Sequence, residues 1–309
     1  MMDNLAKGIS YLGTGETNLA EKFLLRAAEE EPERAEVWKN LGECHIIQEK
    51  YQKAKEELEK AAQLSPDDAE VFVYLSIVCE NLGDRKGSVK YFLMAEEKGF
   101  TADQIYRLIS HIKIFQGKFN EAQTYIERAI ALAPKNPSYH NTLGIIYSEF
   151  GEWEKAAAAL QRAIELAPDK DAYWFNLGNI QRNMGNDENA IRCYLKAIQL
   201  NPKEFIIWNN LGTTYMHLRN FSEAEKCLKK AIEIEPEHFR AHYNLACLYS
   251  MQEKFSSAIE SLEKALQIAP EKVCKLIPRD PDLRNLWESG AISELFFKYC
   301  RKFIDSDRS

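Results

Sequence analysis

Seven of the ten prolines stand on one 34-residue register: Pro32, Pro66, Pro134, Pro168, Pro202, Pro236 and Pro270, with Phe100 at the one step that lacks a proline. A fixed period of this size means stacked repeats, and it limits the fold more than any other property of the chain. Setting Pro32 as phase 32 divides the chain into eight units: 1–34, 35–68, 69–102, 103–136, 137–170, 171–204, 205–238 and 239–272, with 273–309 left over. The length of 309 residues would by itself suggest two globular domains, at roughly 150 residues each. The register predicts one elongated array with a terminal extension instead.

Other residue types keep the same register. Phase 27 is alanine in all eight units, from Ala27 to Ala265, and phase 20 is alanine except at Ser88. Phase 8 is always small (Gly8, Gly42, Ser76, Ser110, Gly144, Gly178, Gly212, Ala246), and phase 24 is always large and apolar, as at Leu58, Tyr194 and Leu228. Trp174, Leu177, Gly178 and Gln181 follow the i, i+3, i+4, i+7 spacing of one helix face, and Ala190, Tyr194 and Ala197 repeat it. Between the two halves, phase 15 carries a breaker at Gly15, Gly83, Gly117, Gly151 and Gly185. Each unit therefore reads as a helix hairpin. Small residues at phases 8 and 20 admit close approach, and bulky residues at phases 4 and 24 fill the remaining space. The phase 32 proline separates hairpins, because it cannot continue a helix but suits a first turn. At Phe100, Thr101 and Gln104 offer a capping box in its place.

Trp208, Leu211, Gly212, Tyr215, Ala224, Leu228, Ala231 and Pro236 together resemble the tetratricopeptide repeat family. The resemblance covers residues 1–272 and departs locally at Asn4, Lys7, Phe100 and Lys113. It implies an all-α, right-handed α-solenoid of eight 34-residue helix-turn-helix repeats plus C-terminal capping helices. Asp280-Pro281-Asp282-Leu283 with Leu286 is similar to the tail that follows bacterial arrays of this family. An apolar series from Ile292 through Leu295, Phe296, Tyr299, Cys300 and Phe303 to Ile304 supports a cap over residues 273–309, since the last repeat of a solenoid otherwise exposes an apolar face. The alternative for this segment is a self-association helix, because Phe296 and Phe297 are both bulky.

Chemistry is sparse. His238 and His242 are four residues apart but lack a third and fourth ligand at matching spacing, so packing is the better reading and no metal is expected. No phosphate-binding glycine loop is present, and neither a catalytic constellation nor a cofactor site is expected. The net charge of −7 argues against nucleic acid. Repeats 1 and 2 hold 9 Lys and Arg against 15 Asp and Glu, so most of the acidic excess lies there. No apolar run nears the ~18 residues of a membrane span, and no secretory signal is visible at the N-terminus. Seven cysteines without a C-x-x-C pair predict reduced thiols in a cytoplasmic setting.

The resemblance also implies a binding protein, and it implies that phases 2, 5, 6, 9, 12 and 13 of each first helix face a concave groove. Asn176, Asn210 and Asn244 share phase 6 in successive repeats, with Asn141, Asn179, Asn183, Asn209 and Thr213 nearby. A carboxamide both donates and accepts, so such a ladder suits the backbone of an extended peptide. Phase 5 adds Phe175 and Tyr243, phase 13 adds His217, and Ile206 and Met216 offer apolar contacts. In the N-terminal repeats Val73, Tyr74, Ile77, Leu108, Ile114 and Phe115 make the corresponding face more apolar. That face reads equally as a seat for a helix, for part of the chain itself, or as interhelix packing. The basic clamp with which some family members hold acidic chaperone tails is not matched, because Glu43, Tyr74 and Leu108 occupy its positions. The asparagine ladder more closely resembles the groove of the family's glycosyltransferase-linked arrays. The expected function is an adaptor for an extended protein segment, without catalysis; the alternative is a self-assembling scaffold.

Overall fold

The structure is a computed structural model that describes residues 3–304, with side chains to Arg301. The side chains of Phe303 and Ile304 lie outside the described residues. Among the described residues every regular element is helical. The chain divides into two compact units between Glu152 and Trp153.

The first unit holds four helix pairs: α1 (Asn4–Gly13) with α2 (Thr17–Glu30), α3 (Ala35–Ile47) with α4 (Tyr51–Leu64), α5 (Ala69–Asn81) with α6 (Arg85–Glu97), and α7 (Ala102–Phe115) with α8 (Phe119–Leu132). It ends with α9 (Pro137–Glu149). The second unit begins with α10 (Trp153–Leu166) and continues with α11 (Asp171–Asn183) and α12 (Asp187–Leu200), α13 (Phe205–His217) and α14 (Phe221–Ile234), and α15 (Phe239–Met251) and α16 (Phe255–Ile268). The terminal segment forms α17 (Pro270–Leu276), two 3-10 turns at Ile277–Arg279 and Pro281–Leu283, α18 (Arg284–Glu288) and α19 (Ser293–Ile304). In each unit a helix packs on its sequence neighbours, which is the α-solenoid arrangement.

The periodic residues have atomic reasons. A Cβ on Gly42 would lie 2.5 Å from Leu58 Cγ, and one on Gly178 would lie 2.6 Å from Tyr194 Cε1. The phase 24 side chain thus occupies the space that the phase 8 glycine leaves. Where phase 8 is serine, its hydroxyl donates to the phase 20 carbonyl across the pair, Ser76 to Ser88 at 2.9 Å and Ser110 to Ala122 at 2.8 Å. The eight phase 27 alanines are all at most 1% exposed. A role for phase 4 that spacing did not show is donation. Trp38, Trp174 and Trp208 donate from Nε1 to the carbonyls of Pro32, Pro168 and Pro202 at 2.8–2.9 Å. His140 and His242 pair through Nε2 with Pro134 and Pro236 in the same way. Each bond satisfies a carbonyl in the turn between pairs, just past the helix end. The capping box at α7 is present, with the Thr101 amide donating to Gln104 Oε1 at 3.2 Å.

All eight phase 15 residues are left-handed, including Glu49 (φ 60°), Arg219 (φ 56°) and Glu253 (φ 58°), where the sequence has no glycine. An L-residue in this region costs roughly 1–2 kcal/mol, and glycine removes that strain while giving part of the gain back through its larger entropy loss on folding. Glu253→Gly is therefore expected to raise stability by about 0.5–1 kcal/mol. Thermal unfolding checks this, and a lowered Tm would refute the strain argument.

The terminal segment covers the end of the last pair. Val273, Ile277, Leu283, Leu286 and Ile292 are completely buried, and each such side chain contributes roughly 1.5–3 kcal/mol of burial. The Phe296 ring packs edge-on to Trp287, whereas Phe297 stays 64% exposed. Cys274 on α17 and Cys300 on α19 form a disulfide, which corrects the expectation of reduced thiols throughout. The two lie 26 residues apart in sequence and meet only because the irregular turns fold α19 back onto α17. Cys44, Cys79, Cys193, Cys227 and Cys247 are free and buried, so Cys193 and Cys227 pack without a bridge.

Candidate partner-binding groove

The apolar N-terminal face is occupied by the chain itself. Val73, Tyr74, Ile77 and Leu108 are at most 3% exposed and belong to one core. Phe115 packs against the core of the first two pairs and stands beside the α1–α2 turn, 3.7 Å from where a Cβ on Gly15 would lie. Gln116 donates to the Ile46 carbonyl at 3.0 Å and to the Tyr51 hydroxyl at 3.2 Å, and Lys118 pairs with Glu49 at 2.6 Å. The end of α7 therefore reaches past α5 and α6 to the second pair. Two charged residues of α3, Lys39 and Glu43, are also engaged. Lys39 bridges Asp68 and Glu70 at 3.0 and 2.9 Å. Burial pushes the Glu43 carboxyl up to about 7, against the pull of Tyr74.

In the second unit the first helices α11, α13 and α15 carry ten of the eleven expected groove residues. Asn141 lies on α9, in the other unit. The asparagines form a chain of contacts from helix to helix. Asn244 donates to Asn209 at 2.9 Å, Asn209 to Asn210 at 3.4 Å, and Asn210 to Asn179 at 3.0 Å. Asn179 also accepts from the buried Tyr194 hydroxyl at 2.7 Å. At roughly 0.5–1.5 kcal/mol per net bond, this chain ties three repeats together. Asparagine therefore recurs here with a structural reason that spacing did not reveal. Asn176, Phe175 and Thr213 are half-buried on the same helices, while Asn183 and His217 are exposed at helix ends.

Beside this chain lies a cavity of about 530 Å³. Thr213, His217 and Asn244, all named from the sequence, line it, and Met216 joins Cys247 and Met251 in its apolar part. Sequence reasoning missed its charged residues. Arg182, at phase 12 of α11, donates to Thr213 Oγ1 at 3.2 Å, and Arg219 enters from its left-handed turn. His217 Nδ1 meets the buried carboxylate of Asp187. Asp280 and Asp282 come from the terminal segment. Asp280 accepts from the Tyr243 hydroxyl at 2.7 Å and caps the backbone of Asp282 at 2.9 Å. This contact makes Tyr243 a 5% exposed seat for the tail rather than an open apolar pocket. Burial and the neighbouring Asp280 raise the Asp282 carboxyl above its ordinary range, with His217 opposing. No group of three or more metal-ligating side chains occurs among the described residues, and no described helix is long and apolar enough to cross a membrane.

Tetratricopeptide repeat profiles match residues 35–68, 115–179, 172–204 and 203–271. The stretch between the first two matches contains Phe100 and Lys113, where the sequence departs from the pattern. Among curated proteins, the O-mannosyl-transferase TMTC1 of Mus musculus is 32% identical over 124 residues, 39% of this chain and 13% of that protein. Its Homo sapiens counterpart is 30% identical over 132 residues, 42% of this chain and 15% of that protein. The chain thus spans a small part of these relatives. Among solved structures, MamA from Desulfovibrio magneticus RS-1 is similar with a TM-score of 0.51 at 18% identity, over 55% of this chain and 96% of that one. That likeness concerns the fold alone. Four profile matches on a 34-residue register of packed helix pairs establish that the chain belongs to the tetratricopeptide repeat family, whose arrays mediate protein–protein interaction.

Proposed function

We propose that this chain is an adaptor that holds an extended segment of a protein partner along α11, α13 and α15. The observation that supports the reading most is the cavity of about 530 Å³ beside the asparagine chain. It offers polar groups at Thr213 and Asn244, an apolar wall at Met216 and Met251, and charges of both signs. That mixture suits a peptide with its own backbone and side chains to satisfy. Catalysis is not part of the proposal, and the transferase activity named for the curated relatives is not carried over from so short an alignment.

Substituting the asparagines is a poor test, because Asn210 and Asn244 also hold helices together. A photo-crosslinking residue at Thr213 or at the 41% exposed Ile206 tests the groove directly, with the 47% exposed Leu195 on α12 as control. Partner crosslinks are expected from the first two positions and not from the third. Equal crosslinking at Leu195, or none at Thr213, would remove the groove assignment. A second reading, self-assembly as a scaffold, draws on the exposed Phe297 ring. Light scattering over a wide concentration series separates the two, since a strict monomer excludes the scaffold.

A further inference from the structure

The cavity carries charges of both signs, and they come from different parts of the chain. Its cations come from repeats within the array: Arg182 on α11 and Arg219 from the turn after α13. Its carboxylates come from beyond the last pair, where the Asp280–Leu283 turn packs on α15. The two carboxylates are not equivalent. Asp280 is committed to Tyr243 and to its own turn. The side chain of Asp282, half-buried beside it, lines the cavity next to Asp280, and two neighbouring carboxylates attract a cation more strongly than one does. Met216, Met251 and Cys247 supply an apolar wall, which suits the methylene stem of a long basic side chain. Arg182 uses one N–H on Thr213, and a guanidinium has five. Arg219 enters the cavity from the left-handed phase 15 turn, a backbone that Glu49 and Glu253 also adopt without glycine.

Resting on the adaptor reading, we propose that the cavity selects a dipolar peptide segment. A lysine or arginine of the partner lies along Met216 and Met251 and ends at Asp282, and an acidic residue of the same segment meets Arg182 and Arg219. The terminal segment is then part of the binding site as well as a cap. Neither a purely acidic nor a purely basic segment satisfies both sets of charges.

The test uses the full chain and pools of fluorescein-labelled, C-terminally amidated hexapeptides. One pool carries a single lysine and a single aspartate among glycine, alanine and serine; two control pools replace the lysine by glutamine or the aspartate by asparagine. Fluorescence anisotropy should show the doubly charged pool binding at least ten-fold more tightly than either control, about 1.4 kcal/mol. Asp282→Asn should abolish the lysine preference, and Arg219→Gln should weaken the aspartate preference, each with an unchanged Tm. Equal binding of the control pools, a lysine preference that survives Asp282→Asn, or binding by none of the pools would overturn the proposal. A partner that crosslinks at Thr213 but is captured equally well by Asp282→Asn would sink this inference and leave the adaptor reading standing. Absence of crosslinks at Thr213 would remove both.

Discussion

Replacing His45 by alanine is expected to destabilise the N-terminal unit by about 3 kcal/mol near pH 6. The imidazole is 2% exposed and lies between two carboxylates from different helices, Glu57 of α4 at 2.6 Å and Glu21 of α2 at 3.0 Å. Lys50 pairs with Glu21 from the turn. The side chains of Glu21 and Glu57 keep 20% and 13% exposure, which places the estimate at the lower end for a broken buried pair. Burial works against protonation of His45, but the hydrogen bonds and charges of Glu57 and Glu21 outweigh it and raise its pKa. Burial likewise opposes ionisation of Glu21, yet His45 and Lys50 hold it down at about 2. The signs give a window. The raised histidine contributes fully below its unfolded pKa of roughly 6.5 and loses its contribution as pH rises through the folded value. The lowered Glu21 contributes above roughly 4.5 and loses its contribution as pH falls towards 2. The stability gap between wild type and His45→Ala should therefore be widest between about pH 4.5 and 6.5 and narrow on the alkaline side. Denaturant unfolding across pH measures it. A gap that does not change with pH would show that lost packing, not the paired charge, explains the loss.

Gly42→Val is expected to cost about 2–3 kcal/mol, or several degrees in Tm. The nearest atoms to the added Cβ belong to Leu58, at 2.5, 2.7 and 3.3 Å, and Leu58 is fully buried with little room to yield. Ser76, Ser110 and Ala246 carry a Cβ at the same phase beside their own partners, but at Gly42 a Cβ alone already crowds Leu58, so alanine strains the pair and valine, with two further methyl groups, strains it more. Leu58→Ala should partly rescue the variant, because it empties the space that valine needs. If the double mutant shows additive losses, the two residues do not share that space.

The fold was legible because its constraints are local and periodic. Gly42 against Leu58 lies within one hairpin, and the register brings such pairs out eight times. The turn at phase 15 was legible where glycine marks it and hidden at Glu49, Arg219 and Glu253, where the hairpin imposes the backbone on an ordinary residue. The lining of the cavity was legible only in part. Thr213, His217 and Asn244 sit at the expected phases, but Asp280 and Asp282 reach the cavity from outside the register, and periodicity says nothing about where an irregular tail folds back. The Cys274–Cys300 bridge was hidden for the same reason. The hydrogen-bonded asparagine chain escaped because it joins different repeats, and spacing does not tell a groove-lining carboxamide from one bonded to its neighbour.

The reach of α7 to the second pair changes how the N-terminal unit should unfold. A solenoid with contacts only between neighbours can fray from its end, one repeat at a time. Gln116 on Ile46 and Tyr51 spans 70 and 65 residues, and Lys118 on Glu49 adds an ion pair. The first hairpin cannot be stripped off without uncovering Phe115, nor the fourth without releasing the second. These contacts close a loop in the contact network. Hydrogen exchange in α1 through α8 should accordingly converge on a shared opening free energy rather than a gradient from the terminus, with slower folding than a chain of purely local contacts would show.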